Sequence, residues 1–153
     1  AVSQAALERG RLWERTVFTD LTALVAALPT TNVLLVYQQS LATDAELVTA
    51  GATLALPLAD FLRRGGVVIV VDSLNGNSGT WQLLDAAGLL SVASAVGITG
   101  TRVDVLAPGD AVASGVPLTY VAERNSVRFD STEVMQVVGD GTGPVVIHKV
   151  FTP

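Results

Sequence analysis

Two short, almost wholly apolar runs constrain the fold of this chain more than any other feature. They are NVLLVY at residues 32–37 and VVIVV at residues 67–71. Strands with one face in water usually alternate apolar and polar residues, whereas strands of a parallel sheet, covered on both faces, are apolar throughout. The two runs therefore predict adjacent parallel strands that are almost fully buried.

The segment between the two runs has the pattern of helix followed by a double glycine. Thr43 and Glu46 have the spacing of a capping box, and a helical pattern continues from there to the glycine pair. Because Gly51 and Pro57 interrupt that pattern, we expect two helical pieces rather than one. A glycine just after a helix commonly adopts the left-handed conformation, so we predict a positive φ at Gly65 or Gly66.

The second half of the chain has weaker signals, and most of them indicate strands. A helix is predicted over residues 80–87, ended by Gly88, and Arg124 and Arg128 are expected in an exposed loop. The strand candidates that follow the helix are Thr101–Leu106, Leu118–Val121, Glu133–Val138 and Pro144–Val150. Between the last two, Asp140 and Gly141 predict a hairpin turn.

Three stretches, taken in order, resemble one family. They are NVLLVY (32–37) with the helix that ends in ADFLRRGGVVIVVDS (59–73), then WQLLDAAGL (81–89), and then PGDAVASGVPLTY (108–120) with FDSTEVMQVVGDGTGPVVIHKVF (129–151). Together they resemble class I glutamine-amidotransferase-like domains of the non-catalytic kind, over about residues 16–151. The resemblance implies a single flavodoxin-like α/β domain over residues 1–153, with three αβα layers and a mostly parallel sheet. We expect this domain to be a segment of a longer protein.

The ends of the two predicted strands carry the candidate binding residues. Ligands of open α/β sheets bind beyond the carboxyl ends of the strands, where the first run is followed by two glutamines and the second by the loop DSLNGNSG. The candidate ligand-binding residues are Gln38, Gln39, Asp72, Ser73, Asn75 and Asn77. An alternative stays open, in which the loop is a connection whose Asn and Gly residues only satisfy turn geometry.

Composition argues against several classes of function. The chain has no cysteine, which excludes disulfides, thiolate metal sites and a cysteine nucleophile. Its net charge of −5 makes it a poor partner for the phosphates of nucleic acids. No apolar run approaches the ~20 residues that span a bilayer, so no membrane span is expected. No residue spacing indicates a metal or cofactor site, and we expect neither.

The sequence indicates a binding or assembly module rather than an enzyme. Catalytic relatives in the family carry a cysteine nucleophile, which this chain lacks. Ser73 has none of the glycines of a nucleophile elbow, and His148 is the sole histidine. The expected partner is another protein, another domain of a longer chain or a second copy, with Pro144–Phe151 as a candidate sheet edge. The alternative is a hydrolase that uses Ser73 or carboxylates at the strand ends.

Overall fold

The structure is a computed structural model that describes residues 4, 7–10, 12, 14–74, 79–133 and 135–152. The helices are α1 (Leu21–Ala27), α2 (Asp44–Arg63) and α3 (Trp81–Ala86), with 3-10 turns at Leu28–Thr30 and Ala111–Ala113. The first four strands are β1 (Val33–Val36), β2 (Val67–Val70), β3 (Val92–Gly97) and β4 (Arg102–Val105). The last four are β5 (Thr119–Val121), β6 (Val127–Ser131), β7 (Gln136–Gly139) and β8 (Pro144–Ile147).

The strands form three small sheets, and the predicted mostly parallel, flavodoxin-like sheet is wrong. Among the described strands, only β1 and β2 pair in parallel, with Val33 opposite Val67. The pair β3–β6 and the four-stranded sheet β5-β4-β7-β8 are antiparallel. Parallel neighbours need a crossover of a dozen or more residues, whereas residues 140–143 alone join β7 to β8. The tight turn at residues 140–143 therefore allows only antiparallel pairing of β7 with β8, whereas β3–β6 and β4–β7 pair strands that are not consecutive in the chain.

Helix α2 is one continuous helix, so the prediction of two helical pieces is wrong. Its start is the predicted capping box, in which the Thr43 hydroxyl oxygen accepts from the Glu46 N–H and a Glu46 carboxylate oxygen accepts from the Thr43 N–H. Pro57 lies inside the helix at a cost of about 3 kcal/mol. Leu54, Leu58 and Phe61 flank it and are fully buried, each stabilising the fold by about 1.5–3 kcal/mol. Burial on both sides of Pro57 therefore outweighs the lost backbone hydrogen bond.

The end of α2 follows its sequence signal. Gly65 has φ = +86°, which confirms the predicted left-handed glycine after the helix. By length and composition α2 is also apolar enough to cross a bilayer, as core helices of soluble proteins often are. Five of its residues are buried against the rest of the chain.

Two separate apolar cores lie along the chain. The first joins α1, α2 and α3 to one face of β1 and β2, and it includes Leu34, Val68 and Val70. The second lies in the four-stranded sheet around Val103 and Val137. Phe151 follows the last strand of the four-stranded sheet in the sequence, but it packs against the first core.

The parallel pair has one covered face and one open face. We call the open side the outer face, and by strand alternation it comprises Val33, Leu35, Tyr37, Val67, Ile69 and Val71. None of these six residues belongs to either core as the described residues define them. The prediction that both strands are almost fully buried is wrong: every residue of β1 is half-buried, and in β2 half-buried residues alternate with the exposed Val67 and Ile69. The helices of the first core all pack with the opposite face, which leaves no described layer on this one.

Candidate functional site

The ends of β1 and β2 meet, as the sequence predicted, through Gln38 and Ser73. The Ser73 hydroxyl donates to Oε1 of Gln38 at 2.7 Å, and Nε2 of Gln38 donates to the Ser73 carbonyl at 3.4 Å. The parallel pairing explains this meeting, because it brings both carboxyl ends to one edge. Asn75 and Asn77, the other predicted loop residues, lie outside the described residues.

Asp72 and Gln39 take part in bracing α3 against the strand ends. One carboxylate oxygen of Asp72 accepts from the Ser73 N–H at 2.8 Å, and the other accepts from the Trp81 N–H at 2.9 Å. Thr80 is completely buried, and its hydroxyl oxygen accepts from the Gln39 N–H at 2.9 Å. Both oxygens of Asp72 are thus engaged by backbone donors. This geometry favours the turn-forming alternative for Asp72 and Gln39 over direct ligand contact.

An open cleft of about 340 Å³ lies between these strand ends and β3. Asp44 from the start of α2 and Gln82 from α3 line it, and Nε2 of Gln82 donates to Asp44 at 2.6 Å. Trp81 and Ser94 also line the cleft. These residues were not among the candidate ligand-binding residues predicted from the sequence. The rule that placed the site beyond the strand ends would also have indicated Asp44 and Trp81, because each begins the helix that follows a strand.

The electrostatics of the cleft suit a neutral or cationic partner. Asp44 and Asp72 line it, and no lysine or arginine is among its described lining residues. Their side chains are already hydrogen-bonded within the chain. The cleft therefore offers a polar surface without an evident nucleophile and base.

The sole histidine lies elsewhere and pairs with a carboxylate. Nδ1 of His148 is 2.7 Å from Oδ2 of Asp110, and this hydrogen bond, with one from the Val112 N–H, holds the pKa of Asp110 below its usual value. The pair ties the 3-10 turn at Ala111–Ala113 to the residue after β8. His148 is not among the residues that line the cleft beside Ser73. The structure therefore gives no support to a triad of Ser73 and His148.

Arg128 contributes to a second open cleft, of about 430 Å³. It lies in β6, so its predicted place in a loop is wrong, whereas Arg124 lies in an exposed turn as expected. The guanidinium of Arg128 donates to Thr142 and to Asp140 in the β7–β8 turn. Burial raises the pKa of Asp140, but hydrogen bonds from Thr142 and the Gly143 N–H, with the charge of Arg128, bring it below its usual value. Arg128 lies in a strand because β6 pairs with the distant β3. The residues next to Arg128 in the sequence do not predict that pairing.

The outer face is the most unusual surface of the described chain. Val67, Ile69 and Val71 are 49%, 42% and 46% exposed, and Tyr37 is 58% exposed. The two strands are apolar on both faces, a pattern that belongs to strands covered on both sides. Sequence and structure thus disagree most about this face, since its residues are apolar and those on β2 are exposed in the described chain.

Neither a metal-binding cluster among the described residues nor a match to a known protein identifies a function for these sites. Among the residues that the structure describes, no group of three or more His, Asp or Glu side chains could hold a metal ion. No protein-family model, curated protein or solved structure matches the chain. The resemblance to glutamine-amidotransferase-like domains stays a prediction.

Proposed function

We propose that this chain is a non-catalytic assembly module of a larger protein or complex, and that it binds its partner through the outer face. The observation that carries the proposal is the apolar surface of a parallel strand pair left in water. Fully burying a Val or Ile side chain contributes about 1.5–3 kcal/mol, so the half-exposed Val67, Ile69 and Val71 leave roughly 1 kcal/mol each unused. Covering them supplies free energy for association.

A binding role has more support than the hydrolase alternative. The hydroxyl of Ser73 donates to Gln38, and Asp72 accepts two backbone N–H groups, so both have structural roles at the strand ends. The base that a serine hydrolase needs would have to be His148, which pairs with Asp110 at another place in the fold. We expect no ester, amide or glycoside hydrolysis, and we expect no change in any trace activity for Ser73→Ala.

The sheet edge at β8 is the weaker of two binding surfaces. This strand ends the four-stranded sheet and pairs there with β7, as the sequence analysis expected of an edge. However, β8 also lies against β6, and Val145 and Val146 pack on the second core. The outer face has no comparable cover among the described residues, which favours it as the partner surface.

The test compares complex formation by two triple variants expressed at native level in the source organism. The outer-face variant carries Val67→Thr, Ile69→Thr and Val71→Thr, which keep β-branched side chains and remove apolar surface. The surface control carries Leu56→Gln, Leu118→Gln and Val121→Thr, at exposed positions outside the outer face. Size-exclusion chromatography of cell extracts then measures the size of the species that contains the chain.

We expect the wild type and the surface control to elute in a large complex, and the outer-face variant to elute as the free protein. Circular dichroism melts of the purified proteins verify that both variants are folded. The proposal is overturned if the wild type elutes as the free protein. It is also overturned if the outer-face variant stays in a complex of unchanged size.

A further inference from the structure

Strand β6 carries two opposite charges on one face, and the two do not pair with each other. Arg128 and Asp130 are two positions apart, so their side chains lie on the same side of the strand, with Cα atoms about 7 Å apart. On β3, Val96 lies opposite Arg128 and Ser94 lies opposite Asp130. All four residues line the second open cleft, of about 430 Å³. One wall of this cleft therefore presents a cation and an anion side by side.

The guanidinium of Arg128 is held through one nitrogen, which leaves its other edge free. Both of its hydrogen bonds, to Thr142 and to Asp140, are donated by Nη1. Within the described part of the chain, Nε and Nη2 of Arg128 have no partner. These two nitrogens form a side of the guanidinium that can bind a carboxylate through two parallel hydrogen bonds. Because the contacts of Nη1 orient the group, the cleft presents a positioned carboxylate-binding edge.

Asp140 anchors Arg128 without occupying this edge. Its carboxylate accepts from the Thr142 N–H at 2.9 Å, the Thr142 hydroxyl at 2.7 Å and the Gly143 N–H at 3.0 Å. Nη1 of Arg128 is farther from it, at 3.4 Å. The side chain of Asp140 is almost fully buried and is not among the described residues that line the cleft. The charge of Asp140 is thus stabilised mainly by its own turn.

Asp130 provides a carboxylate that is free to bind a ligand. It is exposed, and no hydrogen bond or ion pair joins its side chain to any residue that the structure describes. The exposed Ser94 lies directly across the strand pair and adds a hydroxyl oxygen. Carboxylate and hydroxyl oxygens both accept hydrogen bonds, and an ammonium group donates three.

We infer that this cleft binds a zwitterionic α-amino acid with an apolar side chain. The carboxylate of the ligand binds Nε and Nη2 of Arg128, and its ammonium group binds Asp130 and Ser94. A simple anion is repelled by Asp130 and a simple cation by Arg128, whereas a molecule with both charges satisfies both side chains. The exposed Val96 beside Arg128 favours an apolar ligand side chain. The site is separate from the outer face, because β3 and β6 belong to another sheet.

The test uses leucine and two compounds that each lack one of its charges. The compound 4-methylpentanoate keeps the carboxylate and the apolar group, and 3-methylbutylamine keeps the ammonium and the apolar group. Shifts of the amide NMR signals of β3 and β6 measure binding as each compound is titrated. Asp130→Asn removes the free carboxylate, and Arg128→Lys keeps the positive charge but removes the guanidinium edge. Glu123→Gln is the matched control, because it removes an exposed carboxylate that does not line the cleft.

We expect leucine to bind the wild type and Glu123→Gln equally. Each single-charge compound should bind the wild type more weakly than leucine does, by about tenfold or more, because hydrogen bonds to a charged group are lost. Asp130→Asn should weaken leucine binding to the same extent. It should also strengthen the binding of 4-methylpentanoate, because the repelling carboxylate is gone. Arg128→Lys should weaken leucine binding and leave that of 3-methylbutylamine unchanged.

Three results would each overturn the inference. They are the absence of saturable leucine binding, equal binding of leucine and 4-methylpentanoate to the wild type, and unchanged leucine binding by Asp130→Asn. The last result does not depend on Arg128, whose contacts brace the β7–β8 turn. Asp130 makes no such contact with the described residues, so its substitution tests the site even where Arg128→Lys does not fold.

Discussion

Gly51 sets the distance between α2 and α3, and replacing it with alanine should destabilise the protein. A Cβ atom at this position would lie 2.4 Å from the carbonyl oxygen of Leu83 and 2.9 Å from Cβ of Ala86. Atoms of this kind normally stay more than 3 Å apart. Because the carbonyl oxygen belongs to the backbone of α3, no side-chain rotation relieves the contact, and the helix as a whole must move.

The magnitude follows from two opposed effects. Alanine is better than glycine inside a helix by about 1 kcal/mol, which would stabilise an open position. Forcing extra volume into a packed contact costs about 1–3 kcal/mol. The 2.4 Å approach at Gly51 is well inside the 3.0 Å limit and is made to a backbone atom, so we expect the upper part of that range. The net loss in the free energy of unfolding should be about 1–2 kcal/mol.

Urea unfolding followed by circular dichroism measures this loss. Gly109→Ala is the matched control, because a Cβ atom there meets nothing within 4 Å and its φ is not positive. The control should keep or slightly raise the free energy of unfolding. Displacement of α3 should also weaken the hydrogen bond between Gln82 and Asp44 in the cleft. A Gly51→Ala protein as stable as the wild type would refute the reasoning.

Three further predictions concern single residues. Gly65→Val should lower the free energy of unfolding by on the order of 1 kcal/mol or more, because a β-branched residue is strained at φ = +86°. An unchanged urea midpoint would contradict this. Thr80→Val should cost about 1–3 kcal/mol by leaving the Gln39 N–H without its acceptor; Thr80→Ser, which keeps the hydroxyl, should cost less in the same assay. The hydrogen bond with His148 is the main cause of the lowered pKa of Asp110. The ionised carboxylate of Asp110 therefore contributes to the free energy of unfolding above about pH 4, and this contribution is lost as the pH falls through the pKa of Asp110 in the folded state. Melting temperatures across acidic pH should therefore fall less steeply for Asp110→Asn than for the wild type, and parallel curves would exclude this role.

Local signals in the sequence predicted the first half of the fold well. The capping box at Thr43 and the left-handed Gly65 depend on residues at most four positions apart, so the sequence alone determines them. The apolar runs predicted that β1 and β2 are adjacent and parallel. They also predicted where the strand ends meet, which brought Gln38 and Ser73 together.

Tertiary structure decided the features that depend on distant segments. The strand β3 is rich in small residues and pairs with the distant β6, from Val92 opposite Ser131 to Gly97 opposite Val127, so no local pattern distinguished it. Pro57 stays inside α2 because the first core buries the helix on both sides of it. The pairing of Asp110 with His148 likewise joins residues 38 positions apart. The sequence alone determined that both faces of the β1–β2 pair are apolar, and only the tertiary structure decided which face the helices cover, because burial depends on where the other segments pack.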